Sequence, residues 1–467
     1  MKKRVRIFCL ILVFMLINTG CVKRRFDQLE SKRTKTMVSK GDFNPNSNLF
    51  YPDNIDKFDI EDYLSWYKNL SEPPKLQLPQ AEPAKALTNA QMVEDFNYVF
   101  KELEANYPFF DVLKREYNID FLGNYPKYLK RIKECKTDQE FIDEMTGIMG
   151  DLNNHHARLA DGIYVKNVLD YYSKNRNSPS IYYEFLNLNK QVVRNRYNLP
   201  GSQTSKAYEK SNKLAISIMP STSPSNMTID TSKEGIAIMK INSMANPEYF
   251  DQDLAVLKDF LKDKHLYKAL IIDIRENYGG NNQYWQNFLL PKLLTSQKMV
   301  SNHLFFKDSD RAKLILADDT INVENLSNVD ISGIKLDYPN DLKKFDYYIR
   351  DDKVISPDDS DKLYGYEGKI YLLVDRAVFS AAEGMASFMK HSSSATLVGE
   401  QTGGDGITLG VINDVMPNSG LVFTYTNTLG YAPDGSINAE KRTLPDIQSP
   451  SYRNSIETIE EIEEGNF

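Results

Sequence analysis

The sequence predicts a mixed α/β protein in which an N-terminal helical bundle precedes a sheet-bearing core. Two observations lead there. Across residues 233–450, apolar runs of strand length near 235–241, 268–275, 369–375, 395–399 and 420–427 alternate with helical patterns near 247–263, 282–294 and 380–391. Such alternation marks strands covered by helices. Ahead of them, residues 88–160 place apolar side chains at helical spacing: Val93, Phe96, Phe100 and Leu103, then Phe141, Met145, Ile148 and Met149.

The elements divide the chain into six parts. After an N-terminal signal, 1–20, residues 21–87 are polar and carry prolines at 73, 74, 79 and 83, so they read as a tether with one short helix around 60–70. In the bundle, 88–160, Thr88-x-x-Gln91 and Thr137-x-x-Glu140 fit capping boxes that start helices. Residues 161–232 have no legible fold. Their aromatic cluster of Tyr164, Tyr171, Tyr172, Tyr182, Tyr183 and Phe185 either lines a peptide cleft or packs inward. Within the core, 233–450, the Asp- and Asn-rich stretch 300–368 reads as an insertion that shapes or covers a cleft. Residues 451–467 are an acidic, solvated tail.

The first twenty residues indicate the compartment. Met1-Lys2-Lys3-Arg4-Val5-Arg6 is basic, residues 7–17 are apolar but too short to span a bilayer, and Asn18-Thr19-Gly20-Cys21 follows. The pattern resembles a bacterial lipoprotein signal, which implies cleavage after Gly20 and a diacylglyceryl group on Cys21. Ordinary secretion and an uncleaved anchor remain alternatives, and all three place the body outside the cytoplasm. The other cysteines are Cys9, within the signal, and Cys135, on a helix face, so the mature chain has no internal disulfide. Neither Cys-x-x-Cys nor His-Glu-x-x-His occurs, so no metal or cofactor is implied. With 57 basic and 64 acidic residues, the net charge of −7 argues against nucleic acid as partner. The basic Lys23-Arg24-Arg25 suits an anionic lipid surface.

Chemistry is concentrated at two junctions. The apolar run 369–374 leads to Ser380, which opens a helical segment of small residues from Ala381 to Met389. There a serine can expose its hydroxyl while the first N–H groups of the helix face an attacked carbonyl. Alternatively Ser380 only caps the helix, with Glu383 completing S-x-x-E. The second junction is Ala269 to Ile274, which runs into Arg275-Glu276-Asn277-Tyr278-Gly279-Gly280-Asn281, whose glycines allow close backbone approach.

In order, LIIDIRENYGG, FSAAEGMASFMK and ATLVGEQTGG resemble the core of the tail-specific, or C-terminal processing, serine peptidases. The resemblance covers about 180 residues and implies a crotonase-like (ClpP-like) spiral catalytic core, with Ser380 as nucleophile and an oxyanion hole from the N–H groups of Ala381 and of Gly279 or Gly280. Where one branch of that family has its lysine base, this chain has Gly404-Asp405-Gly406, and Asp405 cannot replace the lysine. In the tricorn-core-like branch a histidine from the N-terminal helical region is the base. The segment Leu152-Asn153-Asn154-His155-His156-Ala157-Arg158-Leu159 resembles that motif and puts His156 on the family histidine, departing at Asn154, His155 and Ala157. The same branch implies a glutamate that completes the charge network, for which Glu440, between Pro433-Asp434-Gly435 and Pro445-Asp446, is the candidate. A surface carboxylate is the alternative.

Chemistry agrees with the choice of His156, because imidazole accepts a serine proton near neutral pH. Of the five histidines, His265 sits in a charged turn, His391 closes a helix and His303 lies between strands. Two readings follow. One is an extracytoplasmic, membrane-tethered serine endopeptidase acting on unfolded or short peptide substrates. The other is a catalytically inactive surface lipoprotein that binds peptides or another ligand in the same cleft.

Overall fold

Thr88 and Thr137 each cap a helix, but only Thr88 closes a full box: at Thr137 the Glu140 carboxylate accepts from Lys136 N instead. The Thr88 side chain accepts from Gln91 N while Gln91 Oε1 accepts from Thr88 N at 3.0 Å, which satisfies two N–H groups that the helix cannot pair itself. The helices Asn89–Asn106, Phe110–Tyr117, Tyr125–Glu134 and Asp138–Gly150 bury Phe96, Phe100, Tyr128, Phe141 and Met145 against one another. The computed structural model describes residues 49–201, 226–449 and 454–465. Residues 1–50 form one unit, of which only the strand Leu49–Phe50 is described, and residues 51–467 form the other, to which the architecture belongs. Residues 1–20, Cys9, Cys21 and Lys23-Arg24-Arg25 therefore lie outside the described residues. Among the described residues no helix is long and apolar enough to cross a membrane.

The bundle is not a separate layer. Its core also contains Phe423, Tyr425, Leu429 and Tyr431 from core strands, and its exit, Arg158–Leu159, pairs antiparallel with Val422–Tyr425 in the register Phe423↔Leu159 and Thr424↔Arg158. Cys135 caps the end of Tyr125–Glu134 and is buried, and burial pushes its thiol up.

The central sheet has six strands in the order Ile447–Gln448, Thr396–Gly399, Lys369–Val374, Ala269–Asp273, Ile236–Ile241 and Met227–Lys233. All neighbours are parallel except the last pair, with Leu372 beside Ile272 and Ala237 beside Leu270. The inner strands are mostly apolar because both faces are covered, with Lys240, Asp273 and Lys369 at or near their ends. On one face Met239, Leu270, Ile272, Leu372 and Leu397 meet the helices Phe250–Lys262 and Ala381–His391 and the π-helical turn Tyr284–Leu289. Residues 300–368 form much of a second, antiparallel sheet, where Lys298–Phe306 pairs along its length with Tyr347–Ile355 and also with Leu429–Tyr431.

Three expectations from sequence need correction. Residues 51–87 are not all tether: in the helix Ile60–Lys68, Tyr63 and Trp66 are buried, Tyr63 donates to Pro179 O at 2.7 Å, and Trp66 stacks on Tyr182 with 6.1 Å between ring centres. Prolines and charges around one amphipathic helix hid its aromatic stripe. The illegible region 161–232 begins with three helices, Gly162–Lys174, Pro179–Leu188 and Gln191–Tyr197, and buries Tyr172, Tyr182 and Phe185 as packing residues. The acidic tail is also folded. Residues Asn454–Glu464 form a helix whose Ile459 is fully buried against Ile271, Tyr371 and Leu373 on the second face of the sheet. Glu463 adds hydrogen bonds from Lys369 Nζ at 2.9 Å and Tyr371 OH at 2.6 Å. Isoleucines at 456, 459 and 462 recur at helical spacing, which the carboxylates between them obscured.

Ile459→Ala should lower the unfolding free energy by about 2–5 kcal/mol, the range for truncating a fully buried aliphatic side chain. Urea denaturation measures it, and a loss below about 0.5 kcal/mol, ordinary for a surface position, would contradict the packed helix.

Candidate active site

The turn after Ala269–Asp273 is braced by its own side chains. Arg275 donates to Asp273 through Nε at 2.9 Å and Nη2 at 2.8 Å, and its carbonyl accepts from Lys240 Nζ at 2.7 Å. Asn277 spans the turn, donating to Ile241 O at 3.1 Å and accepting from Gly279 N at 2.9 Å. These bonds account for the Asp, Arg and Asn of D-x-R-x-N-x-G-G. Gly279, at φ 97°, lies so close to the serine that a Cβ there would come within 2.9 Å of Ser380 Cβ and 2.8 Å of Ala381 N. A side chain at this position would force the two loops apart.

Ser380 leaves the strand Lys369–Val374 through a turn and adopts φ 55°, ψ −122°, a sparsely populated conformation for a residue with a Cβ. Phe379 N donates to Asn277 O at 3.3 Å and Ser380 N to Gly404 O at 3.2 Å, which holds it there. Its hydroxyl makes no capping bond to the helix Ala381–His391, so the capping-box alternative is not what the geometry uses. Instead Ser380 Oγ lies 3.0 Å from His156 Nε2.

His156 arrives from the other end of the chain. Its carbonyl accepts from Thr424 Oγ1 at 2.5 Å, and its N–H donates to Asn154 Oδ1 at 2.7 Å. The ring rests on Phe379, with 4.5 Å between ring centres, and is 8% exposed. Its Nδ1 lies 2.8 Å from Asp405 Oδ2, which also accepts from Asn154 Nδ2 at 2.8 Å. A carboxylate at Nδ1 requires the proton on that nitrogen, so the network assigns the tautomer in which Nε2 is free to accept from Ser380. Asp405 is 3% exposed and sits at φ 53° between Gly404 and Gly406. A cavity of about 380 Å³ opens beside it, lined by Asn154, His155, Phe379, Gly403 and Arg442.

Ser380 and His156 are thus brought together, and Glu440 is not with them. Its carboxylate is taken by Arg115, with Nη2–Oε2 at 2.6 Å, and Arg115 also holds Asp341 at 2.7 Å. Glu440 lies on the short helix Asn438–Lys441, and its salt bridge runs to the bundle helix Phe110–Tyr117. The carboxylate at the histidine is Asp405. It stands where the lysine branch has its base, yet it contacts the imidazole rather than replacing it. In the sequence its only mark is a carboxylate flanked by two glycines, a local pattern that does not name its partner.

Gly279 is likewise removed from the oxyanion set, because its N–H is bound to Asn277. Gly280 remains. Its bridge to Met244 uses Asn281 N and Gly279 O, at 2.7 and 2.9 Å, so its own N–H is turned away from Met244. Ala381 is the first residue of its helix and has no partner for its N–H within it. Of the other histidines, His303 Nδ1 meets Tyr348 OH at 2.8 Å, His391 ends its helix, and His155 lies edge-on to Phe379.

A buried proton relay bounded by a strained serine, a histidine and an aspartate is the equipment of acyl transfer. Residues 235–449 match the sequence profile of peptidase family S41. These residues form a peptidase family S41 domain. This S41 protein is a serine-type peptidase, and the matched segment contains Ser380, Gly280, Ala381 and Asp405, while His156 lies ahead of it. The fold is similar to that of mature CPAF, with a TM-score of 0.50 at 14% identity, covering 80% of this chain and 96% of that one. CPAF complexed with lactacystin matches equally, at TM-score 0.50 and 14% identity over 80% and 97%. The tricorn protease aligns at TM-score 0.40 and 14% identity over 80% of this chain and 37% of its own. No curated protein matches the sequence.

Glu383, in the first turn behind the serine, is fully buried, and burial pushes its carboxyl up to about 7 from an ordinary 4.5. Folding thus favours its neutral form, and the stability this group contributes is complete below pH 4.5 and lost as pH rises through about 7. Glu383→Gln, neutral throughout, should gain stability relative to the wild type by on the order of 3 kcal/mol between about pH 5 and about pH 8. Denaturant midpoints at the two pH values test this, and a constant difference would refute it.

Proposed function

We propose that this peptidase is an extracytoplasmic, membrane-tethered serine endopeptidase that cleaves unfolded or short peptide substrates through an acyl-enzyme on a crotonase-like, ClpP-like spiral core. The observation that carries the catalytic part is His156 lying 3.0 Å from Ser380 Oγ and 2.8 Å from Asp405 Oδ2. Ser380 Oγ attacks the scissile carbonyl carbon while His156 Nε2 takes its proton. The N–H groups of Ala381 and Gly280 receive the oxyanion. His156 then gives the proton to the leaving amine as the C–N bond breaks, and an acyl group remains on Ser380. Water, deprotonated by the same nitrogen, attacks the ester and frees the serine. Asp405 keeps the proton on Nδ1 and stabilises the imidazolium. This assembly favours the catalytic reading over the ligand-binding lipoprotein, which drew its support from an imperfect histidine motif.

The tethering part rests on the sequence of residues 1–21. The basic start, the short apolar segment and Thr19-Gly20-Cys21 support lipidation of Cys21 and a peptide or protein substrate met outside the cytoplasm.

A fluorophosphonate should label the protein at Ser380, and Ser380→Ala and His156→Ala should abolish labelling. Asp405→Asn should slow it about 10³–10⁴-fold by favouring the wrong tautomer, while Glu440→Gln should label at the wild-type rate. Labelling of Asp405→Asn at that rate would sink the triad. For the tether, Cys21→Ala should move the protein from the membrane to the soluble fraction on fractionation of expressing cells, and a wild-type chain already soluble would contradict it.

A further inference from the structure

Glu383 is a buried carboxylate at the site that the acyl-enzyme reaction leaves without a task. Both its acceptor bonds converge on one oxygen: Oε1 receives Asn438 Nδ2 at 2.6 Å and Thr443 Oγ1 at 2.7 Å. Among the described residues Oε2 is buried without a partner. An acid kept from water with one oxygen unpaired costs stability, so its place in the fold asks for a compensating role.

The two donors lead to opposite ends of one turn. Asn438 Oδ1 accepts from Gly406 N at 2.8 Å, immediately after Asp405. Thr443 N donates to Thr402 Oγ1 at 2.8 Å, and Thr402 N donates back to Thr443 O at 3.1 Å, three residues before Asp405. Between these anchors the backbone runs through Gly404 at φ 87° and Asp405 at φ 53°. A non-glycine residue holds such a conformation only where its surroundings fix it. Gly406 lies flat on the start of the serine helix, where a Cβ would come within 2.3 Å of Gly384 N and 2.6 Å of Ser380 O. The turn therefore has little other freedom.

We infer that Glu383 is a positioning residue: through Asn438 and Thr443 it clamps both ends of the 402–406 turn and so sets the Asp405 carboxylate on His156. The inference rests on the reading in which Asp405 orients His156. Gln at 383 keeps the accepting oxygen and hence the clamp. Leu keeps the volume but leaves the Asn438 amide and the Thr443 hydroxyl unpaired. Asn438→Ala cuts only the connection to Gly406.

The test is the fluorophosphonate labelling rate of the full chain, with folding of each variant checked by its denaturation midpoint. Glu383→Leu and Asn438→Ala should each slow labelling about 10–100-fold through displacement of the carboxylate, and Glu383→Gln should regain most of the rate. Because the clamp acts through Asp405, Asn438→Ala should cost nothing further when added to Asp405→Asn. Loss factors that multiply in the double variant, or wild-type rates for both Glu383→Leu and Asn438→Ala, would overturn the inference and leave the triad standing. Should Glu383→Leu fail to fold, Asn438→Ala and the double variant decide the question. Wild-type labelling by Asp405→Asn would instead remove the triad reading on which the inference rests.

Discussion

The bond between His156 Nδ1 and Asp405 joins segments about 250 positions apart, and the site depends on it. A carboxylate 3% exposed needs donors, because an unpaired buried charge costs several kcal/mol. Both donors, the imidazole and the Asn154 amide, come from a single three-residue stretch. That stretch is secured a second time by Thr424 on the His156 carbonyl and by the short pairing of Arg158–Leu159 with Val422–Tyr425. The imidazole is thereby held at Nδ1 and through its backbone, which leaves Nε2 one direction to face.

The strain at Ser380 is tolerated for a related reason. Its backbone is held by Asn277 from one parallel strand end and Gly404 from another, and Gly279 lies against its Cβ. Those loops are rigid because the strands beneath them are buried on both faces, one by the helices that follow them and the other by the C-terminal helix through Ile459. Packing far from the chemistry thus supplies the rigidity that a backbone outlier requires.

The division into bundle and core has a functional consequence. The S41 match begins at residue 235, yet the histidine lies at 156. Helices that look like an independent unit share a hydrophobic core with strands of the catalytic region, and Arg115 of the bundle neutralises Glu440 of the core. Loosening that shared core would move the histidine with it, so stability and activity are coupled in this fold.

Much of the plan was legible because it is local. Apolar runs of strand length, the threonine caps at 88 and 137, the serine at a strand-to-helix junction and the glycines at 279 and 280 each carry their reason within a few residues. Position 156 was legible as well, since its motif is continuous. What the sequence by itself could not determine was which carboxylate faces that histidine. Glu440 and Asp405 are both acids a few residues from a glycine, and the choice is made by where Arg115 and Asn154 lie in space. The same holds for the acidic end of the chain, whose isoleucines become core only once a sheet face lies open beneath them. Local pattern specifies which elements form, whereas the pairing of charges and the covering of faces depend on residues hundreds of positions away, and only the tertiary structure brings those together.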